Sequence, residues 1–296
     1  MHKSGFIALV GRPNVGKSTL LNALAGEKIA ITTDRPQTTR NQIRAILTGS
    51  DYQVVFIDTP GLHKPKHRLG DSMVRLANAA VQEVDLVCFL VEANKKPGPG
   101  DRYIAETLHN TANPLFLVIN KTDLADPGQL ATNTEEYLKL ASFKGVFPLS
   151  ALQARNFEPF LEAVRNMMPE GPQFYPPDMV TDQPERFIAS EIIREKIIML
   201  TRQEIPFSIA VVIEEMKDRE SSDILDIRAE IFVERKSQVG IIVGKGGILL
   251  KKAGTQARRE LEAILGRHIF LDLRVKVKKD WRNREEELRR LGYREH

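Results

Sequence analysis

The sequence predicts two domains: an α/β domain with a mostly parallel sheet covered by helices on both faces, then a smaller α+β domain in the order α-β-β-α-α-β. Three observations carry this. A chain of 296 residues is longer than one hydrophobic core usually serves. Five of its sixteen prolines (Pro169, Pro172, Pro176, Pro177 and Pro184) fall with Gly171 in one short stretch, and no periodicity survives there. Proline fixes φ and removes a donor, so residues 169–184 read as an extended, stiff linker between domains at 1–168 and 185–296. The order of elements differs on its two sides.

Before the linker, short apolar runs at 6–10, 54–57, 86–91 and 115–119 alternate with helical patterns at 17–25, 72–81 and 157–167. Strands of a parallel sheet are buried on both faces and read as unbroken apolar runs, which is what these are. After the linker come a helix at 186–202, β-rich runs at 207–215 and 224–234, helical pattern across 238–265 and a strand at 269–277. Arg284 to Arg290 read as a solvated terminal helix of mixed charge, and Trp281 reads as an aromatic cap over the second core.

Composition excludes several classes. With 42% hydrophobic and 28% charged residues the chain is expected to fold as a globular protein. Its longest apolar run, 86–91, is far short of the roughly 18 residues that a membrane span requires. The first ten residues hold too short an apolar stretch for a secretory signal, so an intracellular protein is expected. The one cysteine, Cys88, sits in an apolar strand pattern, which excludes an internal disulfide, a redox pair or a cysteine metal cage. The net charge of +4 conceals an asymmetry: residues 235–284 hold 14 Lys and Arg against 4 Asp and Glu, leaving −6 on the remainder. A basic segment on an otherwise acidic chain is the footprint of a phosphate-backbone partner or of an anionic membrane surface.

Gly11-Arg12-Pro13-Asn14-Val15-Gly16-Lys17-Ser18, followed by Thr19, match the phosphate-loop pattern between a predicted strand and a predicted helix. Glycines let backbone N–H groups curl around phosphate oxygens, Lys17 reaches the terminal phosphates, and Ser18 offers a hydroxyl to Mg²⁺. Asp58-Thr59-Pro60-Gly61 place a carboxylate at the carboxyl end of a buried strand, where such sheets bind ligands. Asn120-Lys121-Thr122-Asp123 emerge in the same way; a carboxylate there can accept from N1 and N2 of guanine, a donor pair adenine lacks. Ser150-Ala151-Leu152 follow a further strand and can present a backbone N–H to the guanine O6.

Together these motifs resemble those of the translation-factor-related GTPases over residues 6–167. The resemblance implies GTP as substrate, GDP as product and Mg²⁺ as cofactor. It implies that Ser18 and Asp58 hold the Mg²⁺ shell, that Gly61 offers its N–H to the γ-phosphate, that Asn120 and Asp123 read guanine, and that Lys121 packs over the base. One threonine of Pro36-Gln37-Thr38-Thr39-Arg40 is to join the Mg²⁺ in the triphosphate state; the Thr-Arg step favours Thr39, with Thr38 the alternative. Lys17, Thr39, Gly61 and Asn14 are the catalytic candidates. Leu62 stands where a glutamine would orient the attacking water, which implies slow hydrolysis. In related GTPases with an apolar residue there, an asparagine at the position of Asn14 helps to hold a monovalent cation, which suggests K⁺ here. His63, Lys64, Pro65 and Lys66 read as a loop rather than a catalytic group.

Gly244-Lys245-Gly246-Gly247 form a GXXG turn between two helical stretches of the basic segment, with Lys251 and Lys252 just beyond. Glycines admit a nucleic-acid backbone and the lysines meet its charge, as in a KH module; the α-β-β-α-α-β order is the type II form. GTPase motifs, proline linker and KH module, with Pro184-Glu185-Arg186-Phe187 and with Glu191, Arg194, Glu195 and Lys196, resemble the Era family of bacterial ribosome-assembly GTPases along nearly the whole chain. The resemblance implies a monomer that binds 16S ribosomal RNA near its 3′ end and matures the small ribosomal subunit, with a cytoplasmic pool partly associated with the cell membrane. The rival reading is a membrane-surface GTPase whose basic domain binds anionic lipid. A small-molecule kinase is disfavoured by Asn120 to Asp123.

Overall fold

The computed structural model describes residues 2–293 other than 63, 64, 66, 110, 203 and 221, so His63, Lys64 and Lys66 of the expected loop lie outside the described residues. Strands β1 (Lys3–Val10), β2 (Ile43–Thr48), β3 (Tyr52–Asp58), β4 (Leu86–Glu92), β5 (Leu115–Asn120) and β6 (Gly145–Pro148) form one sheet in the order β2-β3-β1-β4-β5-β6. All pairings are parallel except that of β2 with β3. The interior strand β4, Leu-Val-Cys-Phe-Leu-Val-Glu, is buried along its full length, as an apolar run with helices on both faces must be.

Helices α1 (Lys17–Ala25), α2 (Arg68–Gln82), α3 (Pro99–Leu108), α4 (Pro127–Leu138) and α5 (Phe157–Met167) cover the two faces. Alternate residues of one strand feed opposite cores: Ile7 and Leu9 pack with Leu20, Leu21 and Phe160 on one side. Ala8 and Val10 pack with Ala77, Ile104 and Tyr137 on the other. Because the strands are parallel, their carboxyl ends line up along one edge, and the motif loops all leave from it.

The stretch 169–184 is strapped to this domain rather than suspended between two. Val180 O accepts from Ile46 N at 2.8 Å, Asp182 Oδ2 from Arg44 Nη1 at 2.6 Å, and Gln53 Oε1 from the amides of Phe174 and Tyr175. The prolines cost these contacts nothing, since other residues supply the donors.

The second domain runs α6 (Glu185–Leu200), the single-turn α7 (Ile205–Ser208), β7 (Ala210–Asp218), β8 (Ile224–Val233), α8 (Lys236–Val243), α9 (Ile248–Leu265), β9 (His268–Val277) and α10 (Glu285–Arg290). Its sheet has the order β7-β8-β9, with β7 and β8 antiparallel and β8 and β9 parallel. The α-β-β-α-α-β frame of the sequence reading holds; α7 interrupts it where a strand from 207 was expected. The terminal helix differs from its expectation too, because Leu288 is buried beside Trp281 and Leu69, so one face of α10 is packed.

Candidate functional site

The phosphate-loop residues lie between β1 and α1, on the rim of a cleft of about 410 Å³ lined by Pro13, Asn14, Gly16, Lys17, Ser18 and Thr19 on one side. Residues 31–34, Thr38, Thr39, Gly61, Glu92 and Lys121 line the other. Val15 is fully buried, and the guanidinium of Arg12 is held by Asp101 at 2.8 Å rather than offered to the cleft. Lys17 is 6% exposed, and its Nζ donates to the carbonyls of Gly11 (3.1 Å) and Arg12 (3.2 Å). A Cβ on Gly61 would meet Pro13 N at 2.8 Å, so only glycine lets this loop lie against the phosphate loop.

Three oxygen donors converge beside Lys17. Ser18 Oγ donates to Asp58 Oδ2 at 2.5 Å, Thr39 Oγ1 lies 2.8 Å from Ser18 Oγ, and Thr39 Oγ1 donates to the same carboxylate oxygen at 3.2 Å. Asp58 is fully buried and its Oδ1 has no hydrogen-bond partner. Burial pushes the Asp58 carboxyl above its ordinary range against the pull of Lys17, Ser18 and Thr39, and pushes the Lys17 ammonium down against the pull of Asp58. A buried carboxylate with one unmet oxygen and two adjacent hydroxyls fits Mg²⁺, a hard cation that takes oxygen ligands. Thr38 is turned elsewhere: its hydroxyl contacts Thr33 Oγ1 (2.6 Å) and donates to Arg35 O (2.7 Å).

Thr59 anchors its loop through Leu9 O at 2.8 Å, Pro60 is buried, and Leu62 is 2% exposed with its amide donating to Gly11 O at 3.3 Å. The Leu62 side chain belongs to the core, so it presents nothing polar to a water.

Asn120 ends β5 and is engaged by protein at both ends: Nδ2 donates to Val15 O at 2.9 Å and Oδ1 accepts from Ala151 N at 2.9 Å. It therefore ties the phosphate loop to the 150–152 segment. The same bond occupies the amide of Ala151, whereas Leu152 is 79% exposed. Asp123 is half-buried with Oδ1 accepting from Ser150 Oγ at 2.5 Å, and Thr122 N donates to Leu149 O at 3.3 Å. Lys121 has φ 64° and sends Nζ back to Asn14 O (2.7 Å) and Glu92 Oε1 (2.6 Å).

In the second domain the GXXG residues turn between α8 and α9. Gly244 has φ 73°, and a Cβ there would meet Leu249 Cβ at 2.9 Å, while Gly246 and Gly247 have open space beside them. Lys251 lines a groove of about 360 Å³ with Gly247, Leu250, Gly254, Thr255, Arg258, Leu271 and Leu273. Lys252 falls on the adjacent face of α9 with Ile248 and Arg259, outside that groove. Lys245 occupies the turn itself.

The structure adds residues the sequence reading left without a role at the site. Segment 32–40 is held by the second domain at three points: Thr32 N donates to Glu195 Oε1 at 3.0 Å, Thr38 O accepts from Arg194 Nη2, and the Arg40 guanidinium enters a socket. Arg40 is 2% exposed and donates to Ile209 O (2.7 Å), Phe207 O (3.1 Å), Pro206 O (3.2 Å) and Tyr293 Oη (3.2 Å), with the rings of Trp281 and Tyr293 beside it. These carbonyls end the single turn α7, whose last C=O groups have no helical partner, so one arginine fork meets them. Consecutive charges at Arg194, Glu195 and Lys196 in an otherwise isoleucine-rich helix are the sequence signal of this face.

A phosphate loop, an acid at the end of β3 and an Asn-Lys-Thr-Asp turn beginning at the end of β5, set on one edge of a mostly parallel sheet and followed by a GXXG module, define a two-domain GTPase with a KH domain. Residues 6–121 match the family described as 50S ribosome-binding GTPase, and residues 204–282 match the KH domain. A single-residue variant of Era from Aquifex aeolicus bound to GDP·AlF4⁻ is 41% identical, with 98% of this chain and 99% of that chain covered and a TM-score of 0.95. Era in complex with MgGDPNP and nucleotides 1506–1542 of 16S ribosomal RNA is 40% identical over 99% of both chains, with a TM-score of 0.96. The chain belongs to the Era family.

Proposed function

We infer that this protein is a GTP-hydrolysing switch that binds 16S ribosomal RNA through its KH domain and acts in assembly and maturation of the small ribosomal subunit. The observation that carries the reading is the likeness to Era along both domains, with the phosphate loop and the GXXG turn each in its required context. Ser18, Thr39 and Asp58 would hold Mg²⁺, which when bound supplies positive charge to the phosphates. Lys17 meets the terminal phosphates, and the Gly61 N–H meets the γ-phosphate. Asn120 and Asp123 read guanine and Lys121 covers the base. Gly244, Lys245, Gly246 and Gly247 clamp the RNA backbone, with Lys251 in the groove and Lys252 adding charge beside it.

K⁺ seated by Asn14 would supply the charge that a leucine at position 62 cannot. The protein works as a cytoplasmic monomer with peripheral association at the cytoplasmic face of the membrane. The basic segment supports that association, and no helix of the described residues is long and apolar enough to cross a membrane. The test is equilibrium binding of a labelled fragment of the 16S 3′ end, competed with anionic phospholipid vesicles, beside GTP turnover. RNA binding that survives the vesicles supports the reading; displacement of RNA by vesicles favours a lipid-binding GTPase.

A further inference from the structure

Glu92 is the last residue of β4 and its side chain is only 7% exposed at the rim of the nucleotide cleft. A carboxylate this enclosed must be paired. Oε1 accepts from Lys121 Nζ at 2.6 Å, Oε2 accepts from Lys95 Nζ at 2.8 Å, and Arg12 Nη2 of the phosphate loop lies 3.6 Å away. Lys121 Nζ is shared with Asn14 O of the same loop at 2.7 Å. Arg12 is fixed from its other side by the fully buried Asp101, which also accepts from Gly98 N at 2.9 Å to cap α3. One carboxylate thus joins the phosphate loop, at Arg12, to the lysine assigned to cover the base.

We propose that Glu92 is a positioning residue for the bound nucleotide: it fixes the Lys121 ammonium against the phosphate loop so that its methylene stem lies flat where guanine stacks. This rests on the reading of Lys121 as the base-covering residue. An ammonium with three donors and a flexible four-carbon stem has no single orientation of its own. Two acceptors on one side, Asn14 O and Glu92 Oε1, define one. Without the carboxylate, Lys121 loses half of that definition and the cleft has to order it on each binding event. Lys95 is half-exposed and serves as a second counter-charge from the neighbouring loop.

The experiment measures Kd and dissociation rate of a fluorescent GDP in the full chain for the wild type, Glu92→Gln, Lys121→Met and the double variant, with melting temperatures alongside. Glu92→Gln is isosteric and keeps a neutral acceptor. It should weaken nucleotide binding about 5- to 30-fold, mostly through faster release, as expected for one charge-assisted hydrogen bond at a partly exposed site. The KM for GTP should rise by the same factor, with kcat changing less. In the Lys121→Met background the same substitution should change the Kd less than twofold. An effect that persists without Lys121, or a single variant within twofold of wild type, overturns the proposal. A wild type that binds the adenine analogue as well as the guanine one overturns the guanine-site reading instead, so the two failures are distinguishable. If Glu92→Gln lowers the melting temperature, the cycle with Lys121→Met still decides, because a general loss of structure would not vanish in the second background.

Discussion

Arg40 donates through Nη1 to the phenol of Tyr293 at 3.2 Å, joining the residue after Thr39 to the last described residue of the chain. The tyrosine ring stacks on Trp281 with centroids 5.7 Å apart, and the Trp281 Nε1–H donates to Ser208 O at 3.0 Å. The socket for the first domain's arginine is thus built from the C-terminal segment after β9 and the turn before β7. Any force that moves Thr39 against Ser18 and Asp58 acts one peptide away from this socket.

Arg40→Ala should therefore loosen the junction between domains. The change leaves four acceptors facing an apolar hole, and losing buried charge-assisted bonds of this kind costs about 3 kcal/mol or more. Differential scanning calorimetry should show the unfolding of the wild type separate into two transitions in the variant, with the GTPase-domain transition still raised by GDP. A single transition at the wild-type temperature would show that the socket contributes nothing.

A second link, formed by charge alone, should respond to pH. Lys28 Nζ donates to Glu195 Oε2 (2.7 Å) and Glu260 Oε1 (2.6 Å), and Lys196 pairs with both acids from the other side. Partial burial raises the Glu260 pKa, but the hydrogen bonds from Lys196 and Lys28 outweigh it and hold the carboxyl below its ordinary range. A folded pKa below the unfolded one gives stability that is present above about pH 4.3 and lost as pH falls through the folded value. Glu260→Gln should therefore melt lower than wild type at pH 7, and the gap should narrow as pH falls below the ordinary carboxylate range. A gap that is constant with pH would remove the network from the account.

The parallel strands were legible because burial on both faces leaves unbroken apolar runs, and the motif loops because their spacing is set by phosphate and base chemistry. Strand β2 was not: Ile43-Arg44-Ala45 carries a charge in its middle, and its pairing to Asp182 becomes visible only when the proline segment is laid along that edge. The partners of Arg40 and Arg194 were not legible either, because nothing local announces the orphan carbonyls of α7 or the carbonyl of Thr38 that they meet. The tie made by Asn120 was not legible, since a sequence shows the residue at a strand end and not the two backbone groups that its amide meets. Trp281 was legible as a cap, for a lone large aromatic in a charged segment rarely stays exposed, but its second partner domain was not.

Base choice should depend on Asp123. Asp123→Asn should weaken GTP binding and improve binding of xanthosine triphosphate, because the amide keeps one acceptor for N1–H and puts a donor where the other stood, which suits the oxygen that xanthine carries in place of the guanine amino group. Loss of one partner in a charge-assisted pair costs about 1.5 to 3 kcal/mol, roughly 10- to 150-fold in Kd. Isothermal titration with both nucleotides reads this directly, and GTP affinity equal to wild type would remove Asp123 from base selection.

RNA binding should be separable from nucleotide binding. Replacing Lys245 and Gly246 together with Asp puts negative charge and a Cβ at φ 60° into the turn, so a fragment of the 16S 3′ end should no longer bind while GDP affinity is kept. Lys251→Ala, in the groove, should weaken RNA more than Lys252→Ala beside it. Wild-type affinity should fall as salt rises, since each neutralised phosphate releases counterion. Salt-independent binding, or a double variant that still binds, would place the RNA elsewhere.

The rate of hydrolysis should be set by charge rather than by a side-chain base. Leu62 is locked in the core, so no polar group at that position can orient water, and turnover by the isolated chain should be slow. Asn14 is the exposed polar side chain at the mouth of the loop; it has φ 66°, and its Nδ2 donates to Asp34 O at 2.7 Å, which places its amide between the phosphate loop and the 32–40 segment. If a monovalent cation seats there, K⁺ should accelerate GTP hydrolysis over Na⁺ at equal ionic strength. Asn14→Ala should erase the difference while GDP affinity changes little. A preorganised charge contact to the transition state is worth about 2.7 to 4 kcal/mol, so K⁺ stimulation can reach about 100-fold. The competing arrangement is a charge supplied in trans by bound RNA or a ribosomal protein. It predicts equal slow rates in both salts and acceleration only when the partner is added. Measuring turnover in K⁺ and in Na⁺, each with and without the RNA fragment, separates the two: equal rates in both salts without RNA would exclude Asn14 as a cation ligand and leave the partner as the source of charge.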